Sequence, residues 1–280
     1  MSASLKILAC QVDVPPTPDV AARDAHLDRL SSLIDDALTE ERADLVVLPE
    51  LSSIDYSRES FDQLAQLAEP LDGPSFHALS PIARKHGASI LYGFPRIAGN
   101  RYRISLGLIG SDGEEAGCFD KLHLAQYGAS MEKEYFEPGE ALFMFEVNGV
   151  KLAPIICYDL RFPELSQTLC QTHGAQVMLH CGAYYTDESY WSWHHFVVTR
   201  ALENQVFMLS LNRAGETYGG SLFCAPWVDE TQEPERFPKA ETLKRIHIDT
   251  GQIAQVRADY TFVADTRDVY DGLDLRMGPT

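Results

Sequence analysis

The chain has 280 residues, with 23 Lys and Arg against 41 Asp and Glu and a formal net charge of −18 at pH 7. That balance argues against a nucleic-acid binder or a protein held on an anionic membrane, because any basic face would sit in a repulsive field. With 45% hydrophobic and 23% charged residues, the composition is that of a globular protein with enough apolar material for a sizeable core.

The first element is a strand in which Leu5, Ile7 and Ala9 alternate with Lys6, Leu8 and Cys10. The run ending at Cys10 has the look of a lipoprotein cleavage box, but only nine residues precede that cysteine, too few for a signal segment. A helix is predicted from Asp19 to Thr39, where Leu27, Leu30, Ile34 and Leu38 recur at helical spacing. A buried strand from Leu45 to Leu48 ends at Pro49, a helix runs from Ser75 to His86 with Gly87 as its stop, and a strand covers Ala88 to Gly93. A strand-rich block follows, Tyr102 to Ile109 and Glu115 to Lys121, turned at Ser111-Asp112-Gly113. Strands are then expected near 142–147 and 150–156, a helix from Pro163 to His173, a strand at 176–181, a helix at 189–204 and a strand at 206–211. No repeat or linker divides the chain, so residues 1–280 read as one domain with a polar, aperiodic tail at 252–280. Strands interleaved with helices imply sheets covered by helices.

No stretch approaches the roughly 18 apolar residues of a membrane span. The six cysteines, at 10, 118, 157, 170, 181 and 224, form no CxxC pair, which suits free thiols in a reducing cytoplasm and gives no sign of zinc. His194 and His195 are adjacent and point in different directions on a helix, so no metal site and no cofactor is expected there.

Three strand ends each carry one reactive side chain: Glu50 after LVVLP, Lys121 after CFD, and Cys157 after LAPII. Strand ends in helix-covered sheets are where sites collect. Taken singly, each has an ordinary reading as a solvated carboxylate, a surface charge or a packed thiol. Their surroundings change that. VVLPEL ending at Leu51, FDKLHL from Phe119 to Leu124 and IICYDLRFPEL from Ile155 to Leu165 occur in order, together with LDGPSF from Leu71, EKEYFEPGE from Glu132 to Glu140, TRALENQ from Thr199 to Gln205 and the run from Gly219 to Pro226. On these segments the sequence resembles the nitrilase superfamily of carbon-nitrogen hydrolases over nearly its full length.

The resemblance implies an α/β fold, a four-layer αββα sandwich in which helices cover two mixed sheets. It also implies a homodimer or higher homo-oligomer, formed through the helices beside the cysteine loop and the tail at 252–280. A carboxamide is a poor electrophile with a poor leaving group, and a covalent route through an activated nucleophile eases its hydrolysis. Cys157 would attack as its thiolate, Glu50 would move the protons, and Lys121 with the backbone N–H of Tyr158 would hold the oxyanion. By resemblance Glu132, six residues before Pro138, is the family's second carboxylate, which orients substrate and Lys121.

Other positions carry two readings. Arg200 and Glu203 look like an ion pair bracing the cysteine loop. Cys181 is either plain packing or a pocket-wall thiol, and Tyr184 ends the same segment. Arg161 either anchors a substrate carboxylate or pairs with Asp159 or Glu164. CYDLRFPE, followed by HCGAY at 180–184, resembles the branch of omega-amidases and small-amide hydrolases. The expected function is therefore a thiol amidase releasing ammonia from a small linear carboxamide. The alternatives are an N-carbamoyl amide hydrolase and, from a different class, a non-catalytic interaction protein.

Overall fold

The structure, a computed structural model, describes residues 2–267 and 272–276. In chain order the elements are β1 (Ser4–Gln11), α1 (Val20–Glu40), β2 (Leu45–Val47), the one-turn helices α2 (Arg58–Phe61) and α3 (Leu64–Leu67), α4 (Pro74–His86), β3 (Ser89–Ala98), β4 (Arg101–Ile109) and β5 (Glu115–Asp120). Then come β6 (Phe145–Val147), β7 (Val150–Ile156), α5 (Pro163–Gln167), β8 (Val177–Cys181), α6 (Tyr190–Asn204), β9 (Phe207–Leu211), β10 (Leu222–Cys224), β11 (Glu235–Arg236), β12 (Thr242–Asp249) and α7 (Gly251–Asp259). Two six-stranded sheets result, ordered β12-β1-β2-β3-β4-β5 and β11-β10-β9-β8-β7-β6. Both mix parallel and antiparallel pairs.

Side-chain alternation explains the layering. In β1, Leu5, Ile7 and Ala9 join a core with Leu152 and Ile156 of β7, between the sheets. Leu8 and Cys10 point the other way, into a core with Leu30 and Ile34 of α1 and Leu79 and Ala83 of α4. Ala153 and Ile155 of β7 meet Trp193 and Val197 of α6 in a third core. Three cores separate four layers, αββα, and a strand that feeds two cores is apolar on both faces.

Asp19 caps α1 by accepting from the Ala22 N–H at 2.9 Å. The expected helix at 163–173 changes hydrogen-bond pattern within its length: α5 ends at Gln167 and a π-helical turn, Thr168–Thr172, completes it. The tail was expected to lack periodicity, yet it opens as α7, which buries Ile253. Its next residues pack on the chain itself: Gln205 donates to the Tyr260 carbonyl at 2.8 Å, and the Tyr260 ring stacks on Trp227 at 3.7 Å. The last residues of the expected tail fall partly outside the described ones. Among the described residues, no helix is long and apolar enough to cross a membrane.

Candidate active site

β2, β5 and β7 each end where the two sheets face one another, and Glu50, Lys121 and Cys157 follow those ends. Glu50, Lys121 and Glu132 are fully buried. The Lys121 ammonium donates to Glu50 Oε1 at 2.7 Å and to Glu132 Oε1 at 2.6 Å. Burial works against its charge, but the two carboxylates outweigh it and hold Lys121 cationic. Two of its three N–H groups are so engaged, which leaves one for a ligand.

Buried charges persist only when they are paired and hydrogen-bonded, and here each carboxylate oxygen has a donor. Glu50 Oε2 accepts from the Ala183 N–H at 2.8 Å, Glu132 Oε2 from the Ala125 N–H at 2.8 Å, and Glu132 Oε1 also from the Tyr56 hydroxyl at 2.8 Å. Burial raises the Glu132 pKa, opposed by Lys121.

Two glycines let the loops come this close. A Cβ on Gly93 of β3 would strike Pro49 O and Leu51 N, so only glycine admits the Glu50 turn against that strand. A Cβ on Gly139 would strike Asp120 O, while the Gly139 N–H donates to the Lys121 carbonyl at 2.7 Å. The Glu50 turn is further held by Arg213, fully buried, whose guanidinium donates to the carbonyls of Glu50, Leu51 and Ile54 at 2.6–3.2 Å.

Cys157 leaves β7 with a backbone φ of +45° and opens a 3-10 turn, Cys157–Arg161. A left-handed conformation at a residue with a Cβ costs on the order of 1–2 kcal/mol, so the loop around it must be tied down. Asp159 does part of this, accepting from the Ile156 N–H at 3.1 Å and from His123 through its amide at 2.9 Å and its ring Nδ1 at 2.7 Å. Arg200 does more, donating to the Leu160 carbonyl at 3.1 Å while paired with Glu203 at 2.8 Å. Burial, then the Glu50 charge, pushes the Cys157 thiol well above its ordinary value, against the pull of Lys121 and the Ala183 N–H. Cys157 is thus a neutral thiol at pH 7, beside a carboxylate that can accept its proton.

A hollow of about 260 Å³ is lined by Tyr127, Tyr158, Arg161, Ser189 and Ser192. A larger cleft of about 530 Å³ lies across Tyr158, along Leu122–Leu124 and Phe162, without touching Glu50 or Cys157. The smaller hollow has neither Glu50 nor Cys157 in its lining, but it is walled by Arg161, which ends the turn that Cys157 opens. Among the described residues Arg161 has no carboxylate partner. It donates to Ser192 Oγ at 3.1 Å, lies over the Phe196 ring at 4.5 Å, and keeps a buried, unpartnered Nε. The expected pairing with Asp159 or Glu164 is therefore absent: both Asp159 oxygens serve His123 and Ile156, and Glu164 is exposed.

Tyr184 is buried and stacked on Trp193 at 4.8 Å, with its hydroxyl 3.4 Å from the Cys157 carbonyl. Cys181 needs correcting as a substrate-binding residue. It points with Ile156 and Leu211 into the core between the sheets, fully buried, because its neighbour His180 takes the opposite face of β8. The sequence reading also missed Tyr56, Arg213 and Asn212, the last of which holds the 184 segment through the Tyr184 N–H and carbonyl at 2.8 and 3.0 Å. All six cysteines are unpaired.

The carbon-nitrogen hydrolase family model matches residues 8–258, a span that contains all four reactive residues. The chain is 33% identical over 239 residues to the 2-oxoglutaramate amidase of Bacillus subtilis, covering 82% of this chain and 88% of that protein. It is 30% identical over 236 residues to an (R)-stereoselective amidase of a Pseudomonas species, covering 82% and 81%. Its fold is similar to that of Saccharomyces cerevisiae Nit3, of branch 10 of the nitrilase superfamily, at a TM-score of 0.79 and 24% identity over 92% of this chain and 94% of that one. With the family match spanning both sheets and every loop that brings Glu50, Lys121, Glu132 and Cys157 together, the chain belongs to the carbon-nitrogen hydrolase family.

Proposed function

We propose that the protein is a thiol amidase that hydrolyses small linear carboxamides of the omega-amide type to the acid and ammonia. The observation that carries this reading is the buried Lys121 ammonium, hydrogen-bonded to two carboxylates beside a cysteine in a strained turn.

In this reading the thiol proton passes to Glu50 as sulfur attacks the amide carbon. The oxyanion that forms takes the remaining Lys121 N–H and the Tyr158 N–H. Collapse breaks the C–N bond, and Glu50 returns the proton to the departing ammonia. Water then gives a proton to Glu50 and attacks the thioester, and the acid leaves as the thiol is restored. Glu132 keeps Lys121 on station throughout. A neutral thiol suits this sequence, since the proton must be carried to the leaving group.

Arg161 is the natural anchor for a distal carboxylate. It lines the hollow, has no acidic partner among the described residues, and can hold a carboxylate in a fork of two hydrogen bonds. The amidase and omega-amidase names of relatives, including the omega-amidase NIT2 of Xenopus tropicalis at 28% identity over 83% of this chain, point the same way. Unpaired thiols fit a reducing cytoplasm.

Ammonia release from short omega-amides, with uncharged amides of equal length as controls, tests the reading. Arg161→Ala should raise KM about tenfold or more for the carboxylated amides and leave the uncharged ones within about twofold. No ammonia from any short amide would refute the amidase; equal losses on both series would remove Arg161 from the substrate.

A further inference from the structure

The Cys157 carbonyl receives two hydrogen bonds, from His180 Nε2 at 3.0 Å and from the Tyr184 hydroxyl at 3.4 Å. A carbonyl only accepts, so His180 carries its proton on Nε2, and Nδ1 is left as an acceptor. Ser210 Oγ, 2.6 Å from Nδ1, must then donate to it. Ser210 in turn accepts from Trp193 Nε1 at 2.9 Å, and an indole N–H only donates. The proton order of the chain is thereby fixed from Trp193 through Ser210 and His180 to the Cys157 carbonyl. His180 and Ser210 stand in register on β8 and β9, on the helix-facing side of the sheet, where α6 supplies Trp193. All three are fully buried, and burial keeps His180 neutral, with its pKa down to about 3. Tyr184 stacks on the same indole, so both arms of the grip rest on Trp193.

None of the chemistry above uses His180, and a buried polar chain is costly where an apolar side chain could pack. What it touches is informative. The Cys157 carbonyl and the Tyr158 N–H belong to one peptide group, no peptide bond among the described residues is cis, and in a trans peptide the two point in opposite directions. Tyr158 lies in the first turn of a 3-10 helix, where N–H groups lack an acceptor within the helix, and among the described residues it donates to no other element or side chain. Holding the carbonyl therefore aims the free N–H, at a turn whose φ of +45° favours relaxation of that peptide.

We infer that His180, assisted by Tyr184, is a positioning residue that grips the Cys157 carbonyl and thereby aims the Tyr158 N–H at the oxyanion. The inference rests on the thiol amidase reading of the site. Polarisation along the chain also strengthens that N–H as a donor.

The test compares two reactions of the same sulfur. Amide hydrolysis passes through an oxyanion. Alkylation by iodoacetamide does not: the S–C bond forms at a tetrahedral carbon as iodide leaves, and the thiol proton goes to Glu50. His180→Leu should lower kcat for a short amide by about 10- to 100-fold, below the full cost of an oxyanion donor, with KM and the Cys157 alkylation rate within about twofold. His180→Gln, whose amide can accept from Ser210 and donate to the carbonyl, should recover most of kcat. Tyr184→Phe keeps the stack on Trp193 and should cost only about two- to fivefold in kcat. Should His180→Leu fail to fold, Ser210→Ala cuts the chain one link earlier and should give the same split at smaller size. Hydrolysis and alkylation falling together, unchanged kcat, or a Gln variant as poor as Leu would each overturn the inference while leaving the amidase intact. A wild-type protein that alkylates yet hydrolyses no amide would instead overturn the functional reading, and the inference with it.

Discussion

Glu50 has one oxygen on the Lys121 ammonium and the other on the Ala183 N–H, the amide that also faces the Cys157 sulfur. A carboxylate so placed can take the thiol proton without leaving its seat. Because the thiol pKa is raised, little thiolate exists at pH 7, and in the proposed mechanism the reaction of Cys157 depends on that transfer. Glu50→Gln should therefore slow iodoacetamide alkylation of Cys157 at pH 7.5 by on the order of 10²-fold, and the residual rate should keep climbing above pH 9 as free thiolate appears. An unchanged rate at pH 7.5 would contradict that role. Glu50, Lys121, Glu132 and Cys157 were legible in the sequence because each sits inside a local run that fixes its neighbours. Arg213 was not: its partners lie 159 to 163 positions earlier, and a buried arginine bonded only to carbonyls leaves no local pattern. Cys181 misled because a strand residue's face is settled by register, and His180 beside it holds the face toward α6.

Lys121 is delivered by β5, and the preceding Asp120 locks that strand to its neighbours. Its carboxylate accepts from Arg96 at 2.6 and 2.9 Å, from Arg103 at 2.9 Å and from Ser105 at 2.6 Å. Burial opposes its charge, but these bonds outweigh it and hold the Asp120 carboxyl below its ordinary value. A carboxyl depressed on folding stabilises fully above its unfolded value of about 3.9, and that contribution is lost as pH falls through the folded value. Asp120→Asn should therefore cost about 2 kcal/mol at pH 7 by urea unfolding, and the gap should narrow below about pH 4. A gap of constant size down to pH 3 would refute this. β12 escaped the sequence reading for a physical reason: as an edge strand beside β1 it buries only Ile246 and Ile248, and Lys244, Arg245 and His247 give it a polar cast. β7 to β9 were legible because, Lys151 aside, they are buried on both faces.

At the scale of the whole molecule, the site exists because loops from two facing sheets converge, so no single element carries it. We propose that α6 and the C-terminal segment also serve a homodimer. Trp191 is 77% exposed on α6, and Leu275 is 86% exposed near the end of the chain, an apolar display that a net charge of −18 elsewhere makes conspicuous. Light scattering at micromolar concentration should give twice 31.2 kDa, and Trp191→Ser should shift the mass toward the monomer. A wild-type monomer would reject the dimer. The central claim, that a thioester on Cys157 carries the hydrolysis, is tested most directly by ammonia release from Cys157→Ala with its fold verified by circular dichroism. The predicted result is a folded protein whose rate is down about 10⁴-fold or more, whereas a folded variant that keeps more than about one percent of the wild-type rate would contradict the claim.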